Sequence, residues 1–106
     1  KISKEIFDLQ AEICKVLANA KRLEIIHTIQ NDELSVGEIA KNMGVSATNI
    51  SKHLSVMKAK GILNSRRAGS HIYYGISDPK VVDACALMKE VLARQIQRSR
   101  DLSEKL

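Results

Sequence analysis

Residues 35–60 read SVGEIAKNMGVSATNISKHLSVMKAK and decide the fold. Ser35 is followed three positions later by Glu38, which is the capping-box pattern at the start of a helix. Gly44 is placed to end that helix, because glycine adopts the left-handed conformation that often follows a last helical turn. Ser46 then offers the N-cap of another helix. The stretch therefore predicts two short helices joined by a tight turn, a helix-turn-helix unit.

The helix that begins near Ser46 has an apolar side and a polar side. Ile50, Leu54 and Met57 recur at the spacing of one helical face, so we expect that side to pack into a core. The opposite side is small and rich in hydrogen-bond donors. A helix of this kind, held across its partner helix, is able to enter the major groove of DNA.

The polar side supplies groups that suit DNA contacts. Small hydroxyl side chains permit a close approach to phosphates and bases. Asn49 is able to hydrogen-bond an adenine edge, and Lys52 to neutralise a phosphate or reach a guanine. An ordinary solvated helix face is the alternative interpretation. The candidate DNA contacts are Ser46, Thr48, Asn49, Ser51, Lys52 and His53.

A short hairpin is predicted immediately after this helix. Gly61 ends the helix, and residues 62–67 and 71–76 read as two strands joined by residues 68–70. Cationic side chains beside a recognition helix are able to follow the phosphate backbone or enter the adjacent minor groove. We interpret the hairpin as a wing, against the alternative of an ordinary exposed hairpin. Its candidate DNA contacts are Arg66, Arg67, Ser70 and His71.

Further helices are predicted on both sides of this region. Residues 2–17 carry apolar side chains three and four positions apart, and a second helix with a broad apolar arc ends near residues 31–32. Pro79 suits the first turn of a final helix that runs from about Lys80 toward Arg98. The expected fold is mainly α, a winged helix-turn-helix of about five helices with a two-stranded β-hairpin wing.

Composition limits the class of protein. The chain has 106 residues, 44% hydrophobic and 27% charged, which is ordinary for one globular domain, so we expect a single domain over residues 1–106. The formal charge of +5 and the isoelectric point of about 9.4 fit a nucleic-acid partner. No stretch is long and apolar enough to span a bilayer, and residues 1–5 carry no signal-peptide core. With its two cysteines, too few for a secreted disulfide framework, the protein is expected in the cytoplasm without a membrane partner.

Catalytic patterns are missing from the sequence. It has no grouping of nucleophile, base and orienting residue, no phosphate-binding glycine loop and no paired-carboxylate arrangement. We therefore expect a protein that is not an enzyme.

Five segments of the chain together form a recognisable pattern. They are residues 17–26 (LANAKRLEII), 34–40 (LSVGEIA), 45–54 (VSATNISKHL), 60–63 (KGIL) and the hairpin 66–74 (RRAGSHIYY). With them the sequence resembles the ArsR/SmtB family of winged-helix transcriptional repressors across nearly its whole length. The resemblance implies a homodimer whose first and last helices pack together, operator binding near a promoter, and release of DNA when an inducer binds.

The last predicted helix fits such a dimer independently of the resemblance. One apolar arc of this helix contains Val81, Cys85, Met88 and Leu92. The core of a 106-residue domain leaves little apolar surface that this arc could cover. Burial against a second subunit is therefore expected, with packing inside the monomer as the alternative.

Members of the family often bind metal or metalloid ions, so the resemblance places ligands at specific positions. Ser35 and Gly37 stand where a thiolate motif would place cysteines, which leaves no soft ligand there. Asp78 fits the carboxylate-and-imidazole pattern of the last helix. The other matching places hold Lys80, Val91 and Arg94. Two cations there would repel a divalent ion, so we predict neither of these metal sites and no cofactor.

The two cysteines lie on the first and last helices, which meet in the family dimer. A pairing of Cys14 with Cys85, within or between subunits, is a hypothesis for a thiol-redox or soft-metalloid sensor. Their alternative role is that of small apolar fillers, because free cysteine is among the most buried residue types. His27, His53 and His71 do not form a ligand spacing.

The sequence thus predicts a sequence-specific, double-stranded DNA-binding regulator, a dimeric repressor released by a metalloid, metal or thiol-redox inducer. The alternative is a winged-helix module for protein interaction or dimerisation without operator binding. Such a module should expose an apolar patch where this chain has a polar helix face and a basic wing.

Overall fold

The computed structural model describes residues 2–106, which form five helices and three strands. The helices are α1 (Lys4–Leu17), α2 (Ala20–Ile29), α3 (Val36–Met43), α4 (Ala47–Ala59) and α5 (Pro79–Glu104). The strands are β1 (Leu34–Ser35), β2 (Leu63–Ala68) and β3 (His71–Ile76). The predicted mainly helical fold is confirmed, with α3 and α4 as the helix-turn-helix and β2 and β3 as the wing.

Side-chain caps fix where four of the helices begin. Asn19, Ser35, Ser46 and Asp78 are the N-caps of α2, α3, α4 and α5, and each accepts a hydrogen bond from a first-turn backbone N–H. The predicted capping box of α3 is complete, since the Ser35 backbone N–H donates to the Glu38 carboxylate at 3.0 Å. This bond from the Ser35 backbone, and secondly a hydrogen bond of the Ser35 side chain to the same carboxyl group, lower the pKa of Glu38. Local sequence therefore decides these helix starts.

The turn between α3 and α4 follows from one glycine. Gly44 has φ of 69°, in the left-handed region that a side chain disfavours, and ends α3 as predicted. The next residue, Val45, returns its N–H to the carbonyl of Ala40 at 3.1 Å. The chain reverses within a few residues, which holds α4 across α3.

The core lies between α2, α3, α4 and the start of β2. Its large, fully buried side chains are Ile25, Ile26, Ile29, Ile39, Ile50, Leu54 and Met57. Burying such a side chain stabilises the fold by about 1.5–3 kcal/mol each. Because α2, α3 and α4 all contribute to this cluster, it fixes α4 by its inner face.

The sheet has one strand more than the sequence predicted. Leu34 and Ser35 pair with Tyr74 and Tyr73, so the order is β1-β3-β2, all antiparallel. A two-residue strand has too little periodicity to be read from sequence, and it exists because tertiary folding brings β3 alongside it. The added strand fastens the base of the wing to the start of α3.

Some helix boundaries also differ from the predictions. The second helix ends at Ile29, before the expected 31–32, because Gln30 turns out of the helix with φ of 44°. The last helix continues to Glu104, past Arg98, and is 26 residues long. Among residues 2–106, no helix combines the length and apolar character needed to cross a membrane.

Candidate nucleic-acid interface

The outer face of α4 presents polar side chains to solvent. The helix is held by its buried side, so its opposite side projects from the surface as the sequence predicted. Hydroxyl, amide and ammonium groups on a projecting helix are able to bond phosphates and base edges in a major groove. The exposed candidates are Thr48, Asn49, Ser51 and Lys52.

Ser46 has a second duty at the start of this helix. Its hydroxyl oxygen accepts a hydrogen bond from the Asn49 backbone N–H at 3.2 Å and so caps α4. The hydroxyl hydrogen is left as a donor, because a serine hydroxyl accepts and donates at once. Ser46 therefore sets where α4 begins and keeps one donor for a ligand.

His53 is turned toward the protein and half-buried. Arg22 of α2 donates from Nε to His53 Nδ1 at 3.1 Å, which requires a neutral imidazole with its proton on Nε2. Burial first, and then the charges of Arg22 and Lys21, lower the pKa of His53. The geometry thus gives His53 an internal partner in addition to its expected place beside DNA.

On the wing, Arg66 is held by two neighbours. Its Nε lies 2.9 Å from both carboxylate oxygens of Glu33, and its guanidinium lies 5.1 Å from the centre of the Tyr73 ring. The register of the hairpin places Arg66 opposite Tyr73, so both side chains share one face of the ribbon. Glu33 therefore offsets part of the positive charge of Arg66.

Arg67 has the opposite environment. It is paired in register with Ile72 on the other face of the ribbon, and within residues 2–106 its side chain makes no hydrogen bond or ion pair. Ser70 and His71, at the hairpin tip, are also exposed. The unpaired positive charge of the wing is therefore that of Arg67.

The side-chain partners of His53 and Arg66 were not predicted from the sequence. Arg22 lies 31 positions before His53, and Glu33 lies 33 positions before Arg66. No local pattern joins such pairs, because contact at this separation depends on how the helices pack. The cationic and aromatic character of the hairpin was visible, but the Tyr73 contact required the strand register.

Comparison with known proteins fits this geometry. Residues 19–65 match the family model described as bacterial regulatory protein, arsR family. The HTH-type transcriptional regulator Rv0081 of Mycobacterium tuberculosis is 32% identical over 93 residues, which cover 87% of this chain and 82% of that protein. The chain belongs to the arsR family. It is accordingly a winged helix-turn-helix, DNA-binding transcriptional regulator.

Solved structures of other regulators share its fold. The crystal structure of Rv0081 has a TM-score of 0.79 at 31% identity, covering 92% of this chain and 98% of that one. The homodimeric winged helix-turn-helix domain of Mb0332 from Mycobacterium bovis gives 0.80 at 30% identity, covering 92% and 93%. The antimony-specific transcriptional repressor AntR gives 0.78 at 27% identity, covering 91% and 87%.

This arsR-family chain exposes a broad apolar surface on α1 and α5. Phe7 is 57% exposed on α1, and on α5 Met88 is 69% and Leu92 54% exposed. The predicted α5 arc is divided, since Val81 and Cys85 pack against the core of their own chain. The other large exposed apolar side chains on these two helices are Ile6, Leu9, Leu87, Val91, Ile96 and Leu102.

The two cysteines of this family member line one groove. It has a volume of about 440 Å³ and lies between α1, the start of α2, and α5. Cys14 and Cys85 are free thiols, the first exposed and the second half-buried, and the Met88 thioether joins them in the same lining. Leu17 and Leu92 are among its apolar walls.

Two of the positions at which the resemblance places metal ligands cap helices here. Ser35 caps α3, and the Asp78 carboxylate accepts from the Lys80 backbone N–H at 2.9 Å at the start of α5. His27 accepts from Lys89 Nζ at 3.3 Å. Among residues 2–106, no three His, Cys, Asp or Glu side chains come together as a metal site.

Proposed function

We propose that this arsR-family regulator is a homodimeric repressor that binds a double-stranded operator through α4 and the wing and leaves it when an inducer binds. The observation that carries the proposal is the exposed polar face of α4 followed directly by a wing with a free arginine. In this assignment, base edges are read from the α4 face, and Arg67, Ser70 and His71 contact the phosphate backbone or minor groove.

DNA binding is tested with a duplex from the promoter region of the protein's own gene and a random duplex of equal length. Asn49→Ala and Lys52→Ala should weaken promoter binding, the first mainly for the preferred sequence and the second for both duplexes. Lys15→Ala, which removes an exposed cation from α1, is the matched control. A wild-type protein with no preference for the promoter would favour the alternative of a protein-interaction module.

DNA binding alone does not distinguish a repressor from an activator. A reporter gene behind the same promoter should be more active in cells that lack the protein, and Asn49→Ala should raise expression as well. Lower expression in the absence of the protein would assign it as an activator.

The dimer is supported by the apolar surface on α1 and α5. A contiguous apolar surface of this kind is uncommon on monomers, and burial against the same surface of a second copy gives a closed two-fold assembly. The homodimeric state of the Mb0332 domain supports the same arrangement. The first and last helices would then form the interface, and two recognition helices would face two operator half-sites.

Analytical ultracentrifugation tests the assembly. Met88→Glu places a charge in the proposed interface and should shift the protein toward monomer, together with a loss of operator affinity. Val56→Glu, on the exposed side of α4, is the control and should leave the mass unchanged. An unaltered dimer in Met88→Glu would move the interface elsewhere.

For the inducer we propose a signal that acts on the thiols of Cys14 and Cys85. The support is their common place in one groove beside the proposed dimer interface. A soft metal or metalloid ion bound by both sulfurs would release two protons and transfer no electron. Oxidation to a disulfide would release two protons and pass two electrons to an oxidant such as a peroxide.

Operator release distinguishes these chemistries. The reduced protein bound to its promoter duplex is treated with antimonite, cadmium or hydrogen peroxide, and Cys14→Ser, Cys85→Ser and the double variant are compared. A response lost in both single variants supports a paired site. A full response in the double variant would exclude the thiols and direct the search to another ligand.

A further inference from the structure

Arg22 joins three helices with one side chain. Its Nε donates to His53 Nδ1 of α4 at 3.1 Å, and its Nη1 donates to the carbonyl of Val16 in α1 at 3.2 Å. Its own backbone N–H is fixed by the Asn19 cap of α2. The guanidinium is planar and its donors point in fixed directions, so two simultaneous bonds define the position of α4 relative to the end of α1.

Few other polar contacts tie α4 to α1 and α2. Within residues 2–106, the Arg22–His53 bond is the side-chain hydrogen bond that links α4 to another helix. A second link is the exposed ion pair of Lys60 with Glu12 of α1, whose N–O distance of 3.9 Å is long. Exposed pairs of this kind contribute little. The remaining contact of α4 with these helices is apolar, and it resists a sliding movement of α4 less than a directional hydrogen bond does.

We propose that Arg22 is a positioning residue for DNA recognition. By bonding both His53 and the Val16 carbonyl, it fixes the orientation of the outer face of α4 relative to the end of α1. We call these two bonds the lock. This inference rests on the proposed function of α4 as the recognition helix. The lock also holds His53 as the neutral imidazole with its proton on Nε2, which leaves an N–H donor on the ring edge away from Arg22. Val16 lies next to Leu17 and Ala18, so the lock connects the groove of the two cysteines with α4.

Arg22→Lys separates positioning from charge. Lysine keeps the positive charge that a phosphate contact would need, but its single ammonium does not reproduce the two directed bonds. If Arg22 positions α4, both Arg22→Lys and Arg22→Ala should weaken promoter affinity about tenfold, the scale of one lost charge-assisted hydrogen bond. Lys21→Ala removes the neighbouring cation and is the matched control, with a much smaller effect expected. Wild-type affinity in Arg22→Lys would overturn the proposal.

The His53 side of the lock gives two further variants. Asparagine places an acceptor near the position of Nδ1 and restores that bond alone, so His53→Asn should lose less promoter affinity than His53→Ala, which should lose at least as much as Arg22→Ala. The double variant Arg22→Ala/His53→Ala should lose less affinity than the sum of the two single losses, since both single variants remove the Arg22–His53 bond. Additive losses would show that the two residues act separately and would refute the lock.

An NMR measurement tests the lock without DNA. Imidazole ¹⁵N shifts of the wild-type protein should show Nε2 protonated and Nδ1 as an acceptor for His53, and this signature should change in Arg22→Lys. A proton on Nδ1 in the wild-type protein would refute the proposal even if promoter binding is observed. Conversely, the expected shifts with no promoter preference would leave the lock in place and refute the proposed operator binding.

Discussion

The two adjacent arginines of the wing should behave differently when each is replaced by alanine. Arg66 is paired with Glu33 at 2.9 Å, whereas Arg67 is exposed and has no polar partner within residues 2–106. Arg67 is therefore free to neutralise a phosphate, and Arg67→Ala should reduce the number of counterions released on binding. Adjacent residues on a strand point to opposite faces, which is the reason for this difference.

The expected change in salt dependence is that of one lost phosphate contact in each subunit of a dimer. Each contact contributes about 0.9 to the slope of log affinity against log salt, so Arg67→Ala should make the slope shallower by about 1.8. Between 50 and 200 mM salt, the affinity of the variant should fall about tenfold less than that of the wild-type protein. Arg66→Ala should change the slope less, because Glu33 already offsets its charge.

Fluorescence anisotropy of a labelled promoter duplex over this salt range measures the slope. Arg100→Ala on α5 removes the same type of exposed side chain away from α4 and the wing, and should leave the slope unchanged. A wild-type slope and affinity in Arg67→Ala would contradict this prediction, and so would a larger change in Arg66→Ala. The second result would mean that the Glu33 pair opens when DNA binds.

Three further changes test the fold that supports this interface. Leu54→Ala removes a fully buried side chain from the inner face of α4 and should lower the free energy of unfolding by about 2–5 kcal/mol in a urea titration. Ser46→Ala removes the cap of α4 and should cost about 1 kcal/mol by thermal unfolding, while Ser55→Ala, exposed within the same helix, should not destabilise. His53 has its pKa lowered below the ordinary value of 6.5, so on acidification the unfolded chain takes up that proton first. Stability should therefore fall as the pH drops below about 6.5 toward the folded-state pKa, and His53→Asn should remove this part of the pH dependence.

Local physical chemistry explains what was predictable about the candidate site. The caps Ser35 and Ser46 and the turn glycine Gly44 act within one or two helical turns, so their effects are visible in a short window of sequence. The same holds for the outward face of α4, because a buried arc fixes which residues lie opposite to it.

Contacts between distant segments explain what was not predictable. The sequence predicted Arg66 and Arg67 as equivalent contacts and His53 as part of the DNA-facing surface. In the structure Arg66 is hydrogen-bonded to Glu33, and His53 is hydrogen-bonded to Arg22. Sequence periodicity does not connect residues that lie more than thirty positions apart. The DNA contacts of the individual candidate residues stay a prediction.

Short-range sequence patterns predicted the order of the five helices and the hairpin, the starts of α3 and α4, the core face of α4 and the winged helix-turn-helix class. These depend on side chains close together along the chain, and on the family pattern that they form. Contacts between distant segments add β1 to the wing and bring Cys14 and Cys85 to one groove. They also pair Arg66 with Glu33, whereas the side chain of Arg67 stays unpaired within residues 2–106. These features arise where separate elements pack together, and packing in three dimensions brings together residues that the linear chain keeps apart.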